Sequence, residues 1–235
     1  MVYSIIQKSQ LEGAKRLDAE YYQPEYLKTD YLIKKSDFFS MSDITTSLSS
    51  GKNLEQINYY ENGILFIRTQ NVRSILIDEL GASCIKNPFK DYPKLSVGDL
   101  LFVRVGEGVG DSAVVTPDLK GQSYSDNVIR LKINKVSPYF VAVFLNCKFG
   151  KLYLERVSKG TARPLVSSEN IGLIKVPNFG DKIAEYCKNK IIKARNLILK
   201  NSQIYFDAEK LLLEELNLNN FQQDNFLSSV VNLSE

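Results

Sequence analysis

The apolar residues in the middle of the chain form short runs that are separated by turn residues. Runs 64–68 and 100–105 are rich in branched and aromatic side chains, and they follow the dipeptides Asn62-Gly63 and Gly98-Asp99. Short runs entered through such dipeptides are typical of β-strands. We therefore predict a strand-rich domain over residues 41–180, in which both of these strands end in a cation.

A third run, residues 127–133, has a different pattern. Its isoleucines and leucine alternate with Arg130 and Lys132, and a period of two is expected where one face of a strand is buried. We expect the other face of this strand to be solvated and basic. Residues 112–117 resemble a further strand, and residues 171–176 are predicted to form the last one.

A helical pattern begins at Ser137, which offers an N-cap, and Pro138 suits a first helical turn. Residues 139–145 alone fit a helix or a buried strand. Up to Val157 no second turn signal follows except Gly150, and this favours the helix.

A long helix is predicted over residues 181–217, which contain no glycine and no proline and are rich in Lys, Glu, Leu and Ile. Its length would be about 55 Å. Its apolar residues advance by threes and fours along one seam, which indicates packing against a partner helix. In the alternative interpretation the helix folds back on the N-terminal segment. The seam residues are Ile183, Cys187, Ile191, Ala194, Ile198, Tyr205, Ala208 and Leu212.

These elements suggest four parts. Residues 1–40 are rich in tyrosine, Pro24 excludes one continuous helix there, and we interpret them as a docking strap. The strand-rich domain of residues 41–180 follows, then the helix of residues 181–218 and an expected loose tail, 219–235. The predicted fold class is α+β: a mostly β domain with peripheral helices, followed by one long coiled-coil helix.

Composition excludes several kinds of chemistry. The chain has no histidine, so Ser-His-Asp and Cys-His catalysis are excluded. Its cysteines, Cys84, Cys147 and Cys187, form no C-x-x-C pair, and we expect no metal site. No leader sequence and no long apolar run are found, so we expect no membrane contact and a cytoplasmic location.

The distribution of charge along the chain is more informative than the net charge. The net charge is only +3, but residues 45–180 carry about 17 Lys and Arg against about 12 Asp and Glu. A basic excess on one segment is compatible with a nucleic-acid partner.

Three sequences could carry chemistry, and each has a simpler interpretation. The glycines of residues 106–110 could approach a phosphate, but a strand follows them where a phosphate loop needs a helix. Residues 87–89, Asn-Pro-Phe, are superficially similar to an adenine methyltransferase element, but a turn explains them better. Residues 117–121 could be forced into a nuclease signature, and they equally fit a polar hairpin turn.

Three polar, cation-flanked loops contain the side chains that bind base edges and phosphates. Each loop alone is also compatible with an ordinary solvated surface. Arginine favours guanine, and Asn and Gln favour adenine, whereas Lys mainly holds phosphate. The candidate DNA-binding residues are Arg68, Gln70, Asn71, Arg73, Lys120, Gln122, Ser123, Asn127, Lys159, Thr161 and Arg163.

The order of segments resembles one half of the specificity (S) subunit of type I restriction-modification enzymes. The matching segments are RLDAEYY (16–22), FIRTQNV (66–72), LSVGDLL (95–101), GEGVG (106–110), SKGTARPL (158–165), IKVP (174–177) and AEKLLLEEL (208–216). In this resemblance, residues 41–180 form a target-recognition domain and the helix is the family's conserved spacer. A full S subunit has two of each, whereas this chain has one.

The resemblance implies a chain without catalytic residues or a bound cofactor. It would read a bipartite target in double-stranded DNA and dock the methyltransferase (M) subunit, which uses S-adenosylmethionine, and the restriction (R) subunit. Because one half is present, we expect a homodimer with antiparallel helices and a palindromic target. The alternatives are pairing with a different half, the recognition part of a fused restriction-methyltransferase, and a coiled-coil interaction protein without a DNA role.

Overall fold

The secondary structure is mixed, with the strands concentrated in the middle of the chain. The computed structural model describes residues 3–11, 17–53, 59–60, 63–79, 82–85, 92–106, 108–158, 165–216 and 218. Its helices are α1 (Pro24–Lys34), α2 (Met41–Ile44), α3 (Pro138–Asn146), α4 (Lys148–Val157), α5 (Ser168–Gly172) and α6 (Gly180–Glu215). Its strands are β1 (Phe38–Ser40), β2 (Thr45–Ser50), β3 (Tyr59–Tyr60), β4 (Ile64–Ile67), β5 (Ser83–Ile85), β6 (Leu100–Val103), β7 (Ser112–Val114), β8 (Ser123–Tyr124), β9 (Val128–Ile133) and β10 (Lys175–Pro177). The chain divides into two units, residues 1–193 and residues 194–235.

The central sheet has the strand order β2-β9-β6-β7, and all neighbours in it are antiparallel. Strand β6 is buried at every position. Leu100 and Phe102 belong to one apolar cluster, whereas Leu101 and Val103 belong to another. Since successive side chains of a strand point to opposite faces, a strand covered on both faces needs a continuous apolar run. The sequence of β6 is such a run.

A second sheet, of order β3-β5-β4-β8, packs on one face of the central sheet. Ile67 of β4 and Tyr124 of β8 lie in the cluster that contains Leu101 and Val103. Strands β4 and β8 are parallel, and Ile67 lies opposite Tyr124. The two strands therefore end side by side.

Helices α3 and α4 pack on the other face of the central sheet, where Val141 and Leu154 are buried. The helix predicted after Ser137 is confirmed, but it is broken at Cys147, whose backbone is extended (φ −76°, ψ 168°). Gly150 permits the close approach of α4 to α3. A Cβ atom at this position would lie 2.1 Å from the carbonyl oxygen of Phe144.

The N-terminal segment packs into the same core. Tyr21, Tyr22 and Ile33 are buried in the cluster that contains Val141, and β1 pairs with β10 in an antiparallel two-stranded sheet. The guanidinium of Arg156 in α4 lies 4.2 Å from the ring centroid of Tyr21, and its Nε donates to the Tyr21 carbonyl oxygen at 3.1 Å. A buried arginine therefore fixes this segment to α4.

Asp30 of α1 is the centre of a buried ion-pair network. Its carboxylate accepts hydrogen bonds from the Nζ atoms of Lys34 and Lys175, at 2.5 and 2.6 Å, and from the hydroxyl of Tyr153. Arg156 lies 3.9 Å away. Burial acts to raise the pKa of Asp30, but the hydrogen bonds from Lys175, Lys34 and Tyr153 hold it below its ordinary value of 3.8. The network joins α1 to α4 and β10.

Two local predictions are wrong. The strand predicted over residues 171–176 begins only at Lys175, because the Ser167 side chain accepts a hydrogen bond from the Asn170 amide and caps helix α5. The second face of β9 is not simply solvated. The side chain of Arg130 is 17% exposed, and its Nε donates to Ser49 Oγ at 3.1 Å, since the second sheet covers that face.

The long helix is confirmed as α6, which has 36 residues, so the predicted α+β class holds, with a mostly β domain before the helix. In residues 194–216 the large apolar side chains are exposed. Within the described residues, no helix is long and apolar enough to span a membrane.

Candidate nucleic-acid interface

Four strands end, and β9 begins, around a single turn, residues 125–127. The amide of Ser125 donates to the carbonyl oxygen of Ile67, the last residue of β4, at 2.9 Å. Lys52, just after β2, forms an isolated parallel bridge with Ser125. The amide of Arg104, just after β6, donates to the carbonyl oxygen of Asn127 at 3.3 Å. Residues that follow three different strands therefore meet here.

The residues that meet at this turn include three cations, Lys52, Arg68 and Arg104. Together with Asn127 we call them the strand-end surface. Arg68 directly follows β4, as Arg104 directly follows β6. The turn itself contains one acid, Asp126, and within the described part of the chain it forms no ion pair with Lys52 or Arg104.

Gly51 allows Lys52 to reach the turn. A Cβ atom at position 51 would lie 2.0 Å from the carbonyl oxygen of Tyr124 and 2.4 Å from that of Ser125, so only glycine permits this approach. The Lys52 side chain is exposed, and its Nζ lies 5.7 Å from the ring centroid of Tyr92.

Arg68 is half-buried and partly held by its own domain. Its Nη2 donates to Ser83 Oγ on the neighbouring strand β5 at 3.5 Å, and its amide donates to Asn71 Oδ1 at 3.0 Å. The chain then forms a short 3-10 helix, Thr69–Asn71. On this helix Gln70 is exposed, so it lies beside Arg68 and is accessible to a partner.

The predicted residues Arg68, Gln70 and Asn127 thus lie at or next to the strand-end surface. Arg73 is also exposed, but it belongs to the turn after Val72. That turn lies beside β7, where the amide of Ile75 donates to the carbonyl oxygen of Ser112 at 2.9 Å.

Asn71 and Ser123 are buried and hydrogen-bonded inside the domain, and their DNA contacts stay predictions. Asn71 is 1% exposed; its Oδ1 accepts from the Arg68 amide, and its Nδ2 donates to the carbonyl oxygen of Asp78 at 3.0 Å. Ser123 is fully buried and donates to the carbonyl oxygen of Pro93 at 3.1 Å. Both side chains use their polar groups inside the domain.

Lys120 and Gln122 do not join this surface. They precede β8, whereas residues 125–127 follow it. Gln122 Oε1 accepts a hydrogen bond from the amide of Leu65, near the start of β4, at 2.7 Å. The two residues therefore lie at the opposite end of the parallel pair β4–β8. Lys120 is exposed there.

Lys159, Thr161 and Arg163 lie outside the described residues. The positions that flank them are fixed next to the surface. Leu165 pairs with Val105 in an antiparallel bridge, and the amide of Val166 donates to the carbonyl oxygen of Arg104 at 3.0 Å.

Sequence reasoning missed Lys52 and Arg104. For Arg104 a signal existed, because the run of β6 ends in a cation just as the run of β4 ends in Arg68. Lys52 has no comparable signal, since its position depends on a long-range contact between Gly51 and the backbone of β8.

The described residues of this surface give no support for a metal site. The sequence has no histidine. Among the described residues, no group of His, Cys, Asp and Glu side chains is arranged to hold a metal ion. The surface offers cationic and amide donors, which suit phosphate oxygens and base edges.

Some residues of the seam predicted on the long helix are buried in the structure, and the others are exposed. Cys187 and Ile191 are buried in the chain's own core, and their role in a partner contact stays a prediction. Burial also raises the pKa of the Cys187 thiol. Ile183, Ile198, Tyr205, Ala208 and Leu212 are exposed, and Ala194 is half-buried.

No protein-family model and no curated protein sequence matches the chain. Among solved structures, the type I restriction-modification system S subunit from M. genitalium matches with a TM-score of 0.53 and 12% identity, over 76% of this chain and 44% of that chain. The type IIG restriction endonuclease BpuSI matches with a TM-score of 0.55 and 8% identity, over 75% of this chain and 29% of that chain. The HsdS subunit from Thermoanaerobacter tengcongensis has a TM-score of 0.46 and 13% identity, over 83% of this chain and 50% of that chain.

The chain spans half or less of the length of the S subunits that it matches. At identities this low, the similarity concerns the fold. The chain has the fold of part of a type I restriction-modification S subunit, with one mostly β domain followed by one long helix.

Proposed function

We propose that the chain is a sequence-specific DNA-recognition subunit of a type I restriction-modification system. The observation that carries the proposal is the strand-end surface, where Lys52, Arg68 and Arg104 surround one turn. Clustered cations on one surface are the usual footprint of a nucleic-acid partner. The fold that the chain shares with an S subunit supports the same function.

In this proposal the residues divide the work of recognition. Exposed Lys52 holds the phosphate backbone, whereas arginine and amide side chains read base edges in the major groove. Arg68, Gln70 and Asn127 are the readers that the sequence predicted. We expect the segment with Lys159, Thr161 and Arg163 to add further contacts, because Leu165, which follows it, pairs with Val105 beside Arg104.

The chain itself performs no covalent chemistry in this proposal. It supplies affinity and register, while an M subunit that binds S-adenosylmethionine and an R subunit modify or cut the DNA. Affinity purification of the full chain from its own cells, followed by mass spectrometry, is expected to recover both subunits. Recovery of neither subunit would contradict this part of the proposal.

Association of two copies completes the proposed subunit. The exposed residues Ile198, Tyr205 and Leu212 recur every seven positions along α6, as in a helix that packs against a partner. Two antiparallel copies give a palindromic target whose half-sites lie about one DNA turn, roughly 34 Å, apart. Light scattering is expected to find a dimer that Tyr205→Glu dissociates. A monomeric wild-type chain would contradict the dimer.

The DNA-binding function is tested with the purified full chain. Filter binding to random duplex DNA over a salt series is expected to give log K falling linearly with log salt, because phosphate contacts release counterions. A slope near zero, or no binding with the M subunit present, would contradict the function. It would favour a coiled-coil interaction protein instead.

A second candidate is the recognition part of a fused restriction-methyltransferase. The similarity to the type IIG endonuclease BpuSI favours it. The mass of the native protein distinguishes the two candidates. A native polypeptide that carries a methyltransferase cofactor loop would support the fused enzyme, and a separate chain would support the subunit.

A further inference from the structure

Arg104 differs from the other described arginines of the unit formed by residues 1–193. Arg130 and Arg156 donate to oxygen atoms within the domain, and Arg68 donates to Ser83 Oγ. Arg73 is exposed to solvent. Arg104 is half-buried and its Nε is fully buried, yet among the described residues its guanidinium has no hydrogen bond, ion pair or ring contact.

A partly buried guanidinium without hydrogen-bond acceptors is energetically unfavourable unless a ligand supplies the acceptors. A guanidinium is always charged and carries five N–H donors in a planar fork. Buried polar groups in native proteins are normally hydrogen-bonded. A partly buried guanidinium with no acceptor among the described residues is therefore expected to receive one from a bound partner.

The backbone of Arg104 is fixed on both sides. Its amide donates to the carbonyl oxygen of Asn127, and its carbonyl oxygen accepts from the amide of Val166 at 3.0 Å. The preceding residue, Val103, pairs with Val128 in the central sheet. A side chain that starts from backbone held on both sides, directly after a strand, is positioned more precisely than a side chain on an unsupported loop.

We propose that Arg104 is a specificity-determining residue that reads a guanine, with its guanidinium donating to O6 and N7 in the major groove. This inference rests on the proposed function and deepens it. A phosphate contact is the competing role, but a phosphate needs charge more than fixed geometry, and exposed Lys52 supplies charge at the same surface. A base edge needs the planar fork at a fixed place.

The test selects duplexes from a randomised library with the full-length wild-type chain, and then with Arg104→Lys, Arg104→Gln and the exposed control Arg73→Lys. Arg104→Lys keeps the charge and removes the fork. We expect it to lower discrimination at one G·C pair by about 5- to 150-fold, with the salt slope unchanged. Arg73→Lys is expected to select the wild-type sequence.

A second measurement uses wild-type protein and does not depend on the folding of any variant. The selected duplex is synthesised with 7-deazaguanine, which lacks the N7 acceptor, at each guanine in turn. One such substitution should weaken wild-type binding, and the same substitution should cause no further loss in Arg104→Gln.

The outcomes separate the two proposals. If the wild-type chain selects no sequence even with the M subunit present, both the proposed function and the role of Arg104 are overturned. If the wild-type chain selects a sequence but no guanine depends on Arg104, the role of Arg104 alone is overturned. A uniform loss on all duplexes in Arg104→Gln, with a salt slope smaller by about one, would assign Arg104 to a phosphate.

Discussion

In two regions of the domain several cations lie close together, and the regions differ in whether a carboxylate pairs with those cations. Around Asp30, three cations, Lys34, Lys175 and Arg156, surround one buried carboxylate. At the strand-end surface, Lys52 and Arg104 form no ion pair within the described part of the chain.

The difference indicates two roles for the same residue types. A carboxylate among cations joins elements of the fold, here α1, α4 and β10. Cations that form no ion pair among the described residues can receive a negative partner from outside the domain, and DNA is the partner that we propose. The two roles predict opposite consequences for stability and for binding.

The largest expected effect is that of Asp30→Ala on stability. It would leave buried Arg156 without its carboxylate, and breaking a buried pair costs about 3–5 kcal/mol. Urea unfolding should show this loss in the free energy of unfolding, whereas removal of the exposed acid in Asp37→Ala should cost little. A loss as small as that of Asp37→Ala would mean that the network does not hold the N-terminal segment.

Neutralising the strand-end surface should weaken DNA binding and leave stability nearly unchanged, in contrast to Asp30→Ala. The triple variant Lys52→Gln, Arg68→Gln and Arg104→Gln is expected to bind random duplex DNA on the order of 100-fold more weakly at low salt, with a shallower salt slope. Its unfolding should change little. The control Lys132→Gln with Lys135→Gln removes two exposed charges at the other end of β9, and it is compared with the double variant Lys52→Gln with Arg104→Gln, which also removes two. Equal losses in the two double variants would show that charge alone, and not this surface, governs binding.

The substitution Gly51→Ala is expected to lower both the stability of the domain and its affinity for DNA. The added Cβ would overlap the carbonyl oxygens of Tyr124 and Ser125, so the chain after β2 must move and Lys52 with it. We expect a loss of about 1–3 kcal/mol in unfolding free energy and weaker DNA binding. Gly121→Ala, where an added Cβ meets no atom but φ is +86°, is the control for backbone strain without overlap. Wild-type DNA affinity in a folded Gly51→Ala chain would contradict the role of this contact.

The smallest effect is the pH dependence of the Asp30 network. The folded-state pKa of Asp30 lies below its ordinary value of 3.8, so the unfolded chain binds the proton more readily. The stabilisation is therefore complete above about pH 5 and is lost as the pH falls through the folded-state pKa. The difference in unfolding free energy between wild type and Asp30→Asn should shrink in this acid range and stay constant from pH 5 to 8. A difference that does not change with pH would contradict the ionised network.

The sequence predicted well what depends on local pattern. Continuous or alternating apolar runs located β4, β6 and β9, and the absence of glycine and proline located α6. It did not predict where a side chain meets residues distant in sequence. Asn71 looked like a base reader because its type and its neighbours fit, but its amide bridges Arg68 and Asp78.

The candidate site, like the fold, was predictable only where it depends on local sequence pattern. Arg68, Gln70 and Asn127 were singled out as candidates because polar residues cluster after strands. Gln122 was assigned to the same site, although the parallel pairing of β4 and β8, which places it at the opposite end, involves residues that lie far apart in sequence. Cys187 and Ile191 fit the helical seam in spacing, yet their side chains fill the core of their own domain. A spacing pattern does not distinguish an internal partner from an external one.

The most direct test of the account compares one duplex enriched by selection with the wild-type chain and a scrambled duplex of the same composition, at physiological salt. DNA recognition by sequence predicts that the enriched duplex binds about 10³-fold more tightly or better. Equal affinity for the two duplexes would contradict the account, because the strand-end surface would then attract DNA without reading it.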